Sequence, residues 1–171
     1  MHSLGEFRLG KSPDEVSIIE TRKEAHNIIL ELTKQSSRKL NIISKNLDPL
    51  IYNQPDFLEA LKTLALNGRR AQIRILVSDV ESILKIDHKL LYLSSKLSSF
   101  IELRKISSEY NNFNKAMLIA DEIGYLYHEN ADRYEGKINF NSLRECKNFL
   151  DIFKGIWEAA LIDRNLRRLH I

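Results

Sequence analysis

Cysteine is almost missing from this chain: Cys146 is the only one in 171 residues. An intrachain disulfide is therefore excluded, and a lone thiol within a helical pattern is expected to pack in the core of a protein kept in a reducing compartment. No apolar run approaches the roughly 20 residues that a membrane-spanning helix requires. The opening MHSLGEFRLG has no apolar centre of the kind that marks a secretory signal, so a cytoplasmic location is expected. Three prolines and six glycines are too few for a collagenous or low-complexity segment, and they fall singly, as turn punctuation. Neither GxGxxG nor GxxxxGK[ST] occurs, which removes the glycine-rich phosphate cradles. Charge of one sign is also scarce. Lys plus Arg number 26 against 23 Asp plus Glu, a formal net charge of +3, which permits a phosphate or nucleic-acid ligand without arguing for one.

What remains is an ordinary globular composition, 43% hydrophobic and 29% charged, long enough to bury one core without a metal or disulfide. Ser12-Pro13-Asp14-Glu15 reads as a capping box, and Val16, Ile19, Ala25, Ile29 and Leu32 then recur at helical spacing. This predicts a long first helix to about Gln35, with residues 1–11 a flexible leader and 12–171 a single domain. Leu40 to Ser44 reads as a buried strand, broken at Asp48-Pro49. Residues 55–67 read as a helix through Phe57, Leu58, Leu61, Leu64 and Leu66, stopped by a glycine cap at Asn67-Gly68.

AQIRILVSD follows as a strand with Ile73, Ile75 and Val77 on one face and Leu76 on the other. A helix is predicted over Ile83 to Leu97, a third strand over 100–106, and two strands within KAMLIADEIGYLYH joined at Asp121-Glu122. GKINFN adds a short strand. Ser142 then caps a last helix with Leu143, Phe149, Phe153 and Trp157 on or near one face, ahead of a basic tail. The fold class is α/β: a mixed β-sheet flanked by helices, with an extra N-terminal helix.

This order of elements, carried by "LNIISKNLDPLIYN", "FLEALKTLALNGRRAQIRILVSD" and the closing Phe153…Trp157 pair, resembles one half of the phospholipase D superfamily fold from Leu40 to Ala160. The resemblance implies a His-x-Lys-x4-Asp signature on one strand, in which a histidine attacks phosphorus, a second histidine protonates the leaving oxygen and lysines neutralise the phosphoryl oxygens. Aligned on Lys115, the signature is degenerate: Phe113 stands for the histidine and Ala120 for the aspartate, while Asp121 falls one residue late. Phenylalanine neither attacks phosphorus nor carries a proton. The expected protein is thus a catalytically inactive phospholipase D-like domain acting by binding, as a homodimer or with a protein partner. The run Asp132-Arg133-Tyr134-Glu135-Gly136 also resembles a D-R-Y-E-G run in a bacterial domain family of unknown function.

Two alternatives stay open. One is an unconventional phosphodiesterase or nuclease using His128, Lys115 and Asp121; the other is a phosphate or nucleic-acid binder without turnover. Lys115, Asn130, Arg133 and Glu135 are the candidate ligand-binding residues, Arg133 because its guanidinium can hold a phosphate or carboxylate through two parallel hydrogen bonds. The basic groups Arg69, Arg70 and Arg74, and Arg164, Arg167 and Arg168, lack interleaved aromatics for base stacking and are expected to be solvated. His2, His26, His88 and His170 make no metal-ligand spacing, so neither a metal site nor a cofactor is expected.

Overall fold

The computed structural model describes residues 6–167. In chain order the elements are β1 (Ser17–Ile19), α1 (Arg22–Gln35), β2 (Lys39–Ser44), α2 (Pro49–Tyr52), α3 (Pro55–Asn67), β3 (Gln72–Val77), α4 (Val80–Leu84) and α5 (Lys89–Lys96). There follow β4 (Ile101–Lys105), a 3-10 turn (Ser108–Tyr110), β5 (Ala116–Ala120), β6 (Gly124–His128), β7 (Gly136–Asn139), α6 (Leu143–Ala159) and a second 3-10 turn (Arg164–Arg167). The seven strands form one mixed sheet in the order β1-β7-β6-β5-β2-β3-β4. Strands β2, β3 and β4 are parallel, and the remaining neighbours are antiparallel.

The period of two along each strand divides the core between the two faces of the sheet. Leu40, Ile42, Ile73, Ile75, Val77, Leu118, Leu126 and Ile138 face α1, α3 and α5 in the larger cluster. Ile43, Leu76, Met117, Ile119 and Tyr125 face α6, which supplies Cys146, Phe149, Phe153 and Trp157 to the second cluster. The assignment of Ile73, Ile75 and Val77 to one face and Leu76 to the other holds.

Several boundaries depart from expectation. The first helix begins at Arg22, where Thr21 and Glu24 form the capping box, and Ser12 instead accepts a hydrogen bond from the Arg8 amide in a turn. The β-branched run around Ile18 pairs with β7 as the edge strand β1, because neighbouring backbone groups there outbid a weak helical propensity. Residues 6–11 of the N-terminus expected to be flexible carry contacts: Gly10 N–H donates to the Phe140 carbonyl (2.8 Å), Leu9 N–H donates to Gln35 (2.6 Å), and Phe7 stacks on Phe140. Residues 1–5 and 168–171, with His2, Arg168 and His170, lie outside the described residues.

The helix expected over 83–97 is two helices, since Asp79 caps α4 and His88 caps α5. Gly68 does close α3, but with φ of −72°. It is small because a Cβ there would sit 2.5 Å from the Leu64 carbonyl oxygen and 2.8 Å from that of Ser37. Leu66 and Leu143, expected on buried faces, are exposed. Among the described residues no helix is long and apolar enough to cross a membrane.

The β5–β6 turn is a tight one. Asp121 and Glu122 both have positive φ (51° and 61°), and Ile123 N–H donates to the Ala120 carbonyl (2.9 Å), as a type I′ hairpin requires. The Asp121 carboxylate accepts from the backbone amides of Ser37 (2.7 Å), Arg38 (2.8 Å) and Lys39 (2.9 Å) and from the Ser37 hydroxyl (3.1 Å). It thereby clamps the α1–β2 loop to the hairpin. We predict that Asp121→Ala lowers stability by about 2–4 kcal/mol, because three amide donors lose a charged acceptor. Urea denaturation measures this, and a loss below about 0.5 kcal/mol, the level of an ordinary surface change, contradicts the clamp.

Candidate functional site

Carboxyl ends of parallel strands leave a crevice where successive crossovers diverge. Here that crevice is a cleft of about 420 Å³. Its lining comprises the end of β2 and the following loop (Ser44, Lys45, Asn46, Asp48), Asp79 beyond β3, Ala116 and His128, and the 131–134 loop, with Ile29, Ile51 and Tyr52 beneath. A larger groove of about 540 Å³ lies between α1 and α3, but its lining holds no histidine and lies away from these strand ends. The chemistry therefore points to the smaller cleft.

His128 is buried, at 9% exposure, and pairs across the hairpin with Ala116. Its Nδ1–H donates to the Glu135 carbonyl (3.1 Å), which places the lone pair on Nε2. Nε2 has no hydrogen-bond partner among the described residues. Burial holds this imidazole below the usual histidine value, partly opposed by the carbonyl. Gly136 sits against the ring: a Cβ there would lie 2.8 Å from both His128 Nδ1 and the Tyr127 carbonyl oxygen.

The rest of the run 132–136 is equally occupied. Asp132 accepts from Lys45 Nζ (2.6 Å), an ion pair that raises the lysine and lowers the carboxyl from their usual values. Tyr134 donates to Asp48 (2.5 Å). Arg133 stands on the rim, 3.8 Å from Glu135. Across the cleft Asp79 accepts from Ser82 N–H (3.2 Å) and Oγ–H (2.6 Å), and these hydrogen bonds lower its carboxyl.

Of the residues proposed from sequence, His128 and Arg133 line the cleft, and Glu135 serves it through its backbone. Asn130 accepts from Asp132 N–H (2.9 Å) and Asn114 Nδ2 (3.2 Å), ordering the loop at the mouth. Lys115 does not join them. Its side chain is on the α6 face, donating to Glu129 (2.6 Å), which also accepts from Tyr127 (2.9 Å). Asp121 is at the opposite end of the sheet. Phe113 packs against the α6-side cluster, so it does not stand where a nucleophile would approach.

That outcome corrects the alignment on Lys115. The strand residue facing the cleft is Ala116, and Asn114 borders it through its bond to Asp132 (3.2 Å). Read from Asn114, the spacing His-x-Lys-x4-Asp becomes Asn114, Ala116 and Asp121: histidine and lysine are replaced, and the aspartate is present in its turn. Residues the sequence reading missed are Lys45, Asp48, Asp79 and Tyr52. The only signal for them was position, each lying beyond the carboxyl end of β2 or β3. The other described histidines, His26 and His88, make structural contacts. His88 donates from Nε2 to the Leu47 carbonyl (2.9 Å) and accepts the Leu90 amide (3.3 Å), and His26 bridges the Ile51 carbonyl and Asp56. No cluster that could hold a metal ion exists among the described residues.

The family described as "Domain of unknown function (DUF7931)" matches residues 21–169. No curated protein sequence matches the chain. Among solved structures, the archaeal chromatin protein TrmBL2, described with a novel mode of DNA binding, superposes with a TM-score of 0.64 at 17% identity, over 88% of this chain and 54% of its own. Nuc from Salmonella typhimurium, a phospholipase D family member, gives 0.62 at 13% identity over 85% of this chain and 95% of its own. Phosphatidylserine synthase from Haemophilus influenzae Rd KW20 gives 0.60 at 16% identity over 93% and 42%. The chain thus spans about half the length of TrmBL2 and nearly all of Nuc. At these identities the likeness is one of fold, and the fold is phospholipase D-like.

His88 and His128 are both depressed by burial, so the unfolded chain binds their protons more readily. The stability they contribute is whole above the ordinary imidazole value of about 6.5 and is lost as pH falls through their folded values. We predict that the urea midpoint drops between pH 7 and pH 5, with a shallower drop in His128→Asn; parallel profiles contradict the assignment. Gly136→Ala, which crowds the ring, is expected to cost about 1–3 kcal/mol and to return the imidazole resonance toward its ordinary titration.

Proposed function

The chain belongs to the DUF7931 domain family, and from that membership and the cleft we propose that it is a phospholipase D-like module without phosphodiesterase activity, working by binding. The observation that carries this reading is the side-chain set at the signature positions, Asn114 and Ala116. An amide is no nucleophile for phosphorus, and a methyl group neutralises no phosphoryl oxygen. Lys45 does not replace the lost lysine, because Asp132 already holds it. With three carboxylates against two cations in the lining, a phosphodiester meets repulsion where its fold relatives need attraction. Arg69 and Arg70 belong to the loop after α3, and Arg74 lies over Trp157, so these arginines form no basic stripe leading into the cleft, where among the described residues Lys45 and Arg133 are in the lining and Arg22 stands beside Tyr134; this weighs against nucleic acid as its ligand.

One observation favours keeping a catalytic alternative: His128 has a neutral, outward lone pair. Bis(p-nitrophenyl) phosphate and plasmid DNA, each incubated with the protein with and without divalent metal, test both readings. No turnover above that of His128→Ala is expected. Turnover that disappears in His128→Ala overturns the silent reading and assigns the nucleophile.

Self-association is supported by the β1 edge, where Val16 (54% exposed) and Ile18 (65%) lie beyond the cover of α6. Exposed β-branched residues on a sheet edge favour pairing with another chain, although a three-residue edge is short for it. Light scattering over a wide concentration range is expected to show a dimer that Ile18→Lys dissociates, and a monomer throughout removes this reading.

A further inference from the structure

The chemistry of the cleft floor goes further than its loss of phosphodiester binding. Three of its polar residues are more than nine-tenths buried: Ser44, Tyr52 and His128. Each keeps a hydrogen-bonding atom that the described protein does not use. His128 Nε2 offers only a lone pair, because the Glu135 carbonyl holds the proton on Nδ1. The Tyr52 hydroxyl makes no hydrogen bond, its ring packing edge-on against Phe57. Ser44 Oγ accepts the Leu47 amide (2.9 Å) and retains a second lone pair.

Polar atoms on residues this deeply buried are ordinarily paired; His128 Nε2 and the Tyr52 hydroxyl are not, and unlike the Tyr125 hydroxyl, which is sealed in the core, both keep access to the cleft they line, which marks a place for a ligand. Around them stand the carboxylates of Asp48, Asp79 and Asp132, with Lys45 and Arg133. The floor is therefore rich in acceptors, and three carboxylates and two cations line the cleft, with Arg22 beside Tyr134 and Lys85 near Asp79 just outside the lining.

We propose that this cleft receives an organic primary ammonium group, the inverse of the anion that the phospholipase D-like fold accommodates elsewhere. The inference rests on the binding reading above and names its ligand class. An ammonium has three N–H donors and no acceptor. It satisfies the His128 lone pair, the Tyr52 oxygen and a carboxylate at once. A phosphate presents only acceptors to Nε2 and meets three carboxylates. The cleft has room for an alkyl stem below the rim, along Ile29 and Ile51.

The sign of one titration decides the matter. A cation bound beside His128 disfavours imidazolium and moves its titration down, whereas a bound anion moves it up. The measurement is the His128 imidazole titration by NMR on the full chain, alone and with n-butylammonium, with a blocked lysine-containing tripeptide, or with inorganic phosphate.

Saturating n-butylammonium is expected to lower the His128 value by about one unit, and phosphate to leave it unmoved. Asp79→Asn keeps the side-chain cap of α4 while removing a charge, and is expected to weaken the ammonium effect by about tenfold. An unchanged amide spectrum verifies its fold. Tighter binding of the tripeptide than of butylammonium assigns the ammonium to a lysine of a protein partner, and equal binding assigns it to a free amine; both uphold the proposal. An upward shift with phosphate, or no shift with either amine, overturns it. Neither of those results restores phosphodiester turnover, so the silent reading stands or falls separately.

Discussion

The pairing of Ala116 with His128 across the β5–β6 hairpin is the constraint on which the site depends. Side chains alternate along a strand, so a slip of one residue exchanges every group between the cleft and the α6 face. With this register His128 turns into the cleft opposite a methyl group, and Lys115 turns away to Glu129. One slip would aim Lys115 at the cleft and bury nothing useful behind it. The register is set by the turn, where Asp121 and Glu122 adopt positive φ and the Asp121 carboxylate ties the hairpin to the loop before β2. A turn at one end of the sheet thus decides the chemistry at the other.

Elements whose burial pattern repeats strongly were legible before the structure. β3, β5, β6 and α6 follow from apolar alternation or helical spacing with evident caps, and the mixed sheet follows from their order. The misread elements are those in which two local signals compete. Ser12-Pro13-Asp14-Glu15 and Thr21…Glu24 both have capping chemistry, and only tertiary pairing of Ile18 with Lys137 shows that the chain between them is a strand. Asp87-His88 interrupts α4 and α5 because His88 reaches the Leu47 carbonyl, a contact 41 residues distant that no window of sequence contains.

The candidate site was legible in one part only. His128, Arg133 and the D-R-Y-E-G run were visible as unusual residues, and the structure uses that run at every position: an ion pair, a rim cation, a hydroxyl bond, a carbonyl for the imidazole and a gap for its ring. Lys45, Asp48 and Asp79 were invisible as a group because they come from separate crossovers. An exposed charge after a strand looks the same whether it points to solvent or toward a shared crevice. Lys115 drew attention because the signature strand contained a lysine, yet strand periodicity alone, without the register, could not assign its face.

The three signature positions have separate fates because they do different physical work. An aspartate in the turn organises backbone amides, so its loss would loosen the hairpin whether or not a reaction occurs. Side chains that face the cleft contribute little to packing, so positions such as Asn114 and Ala116 can vary at small cost to the fold. With Asn114 and Ala116 there, the cations facing the three carboxylates of the lining are Lys45 and Arg133, with Arg22 and Lys85 just outside it. The same backbone can thus carry a lining of different charge, because the side chains at the strand ends set the electrostatics of the crevice while the sheet and helices set only its shape.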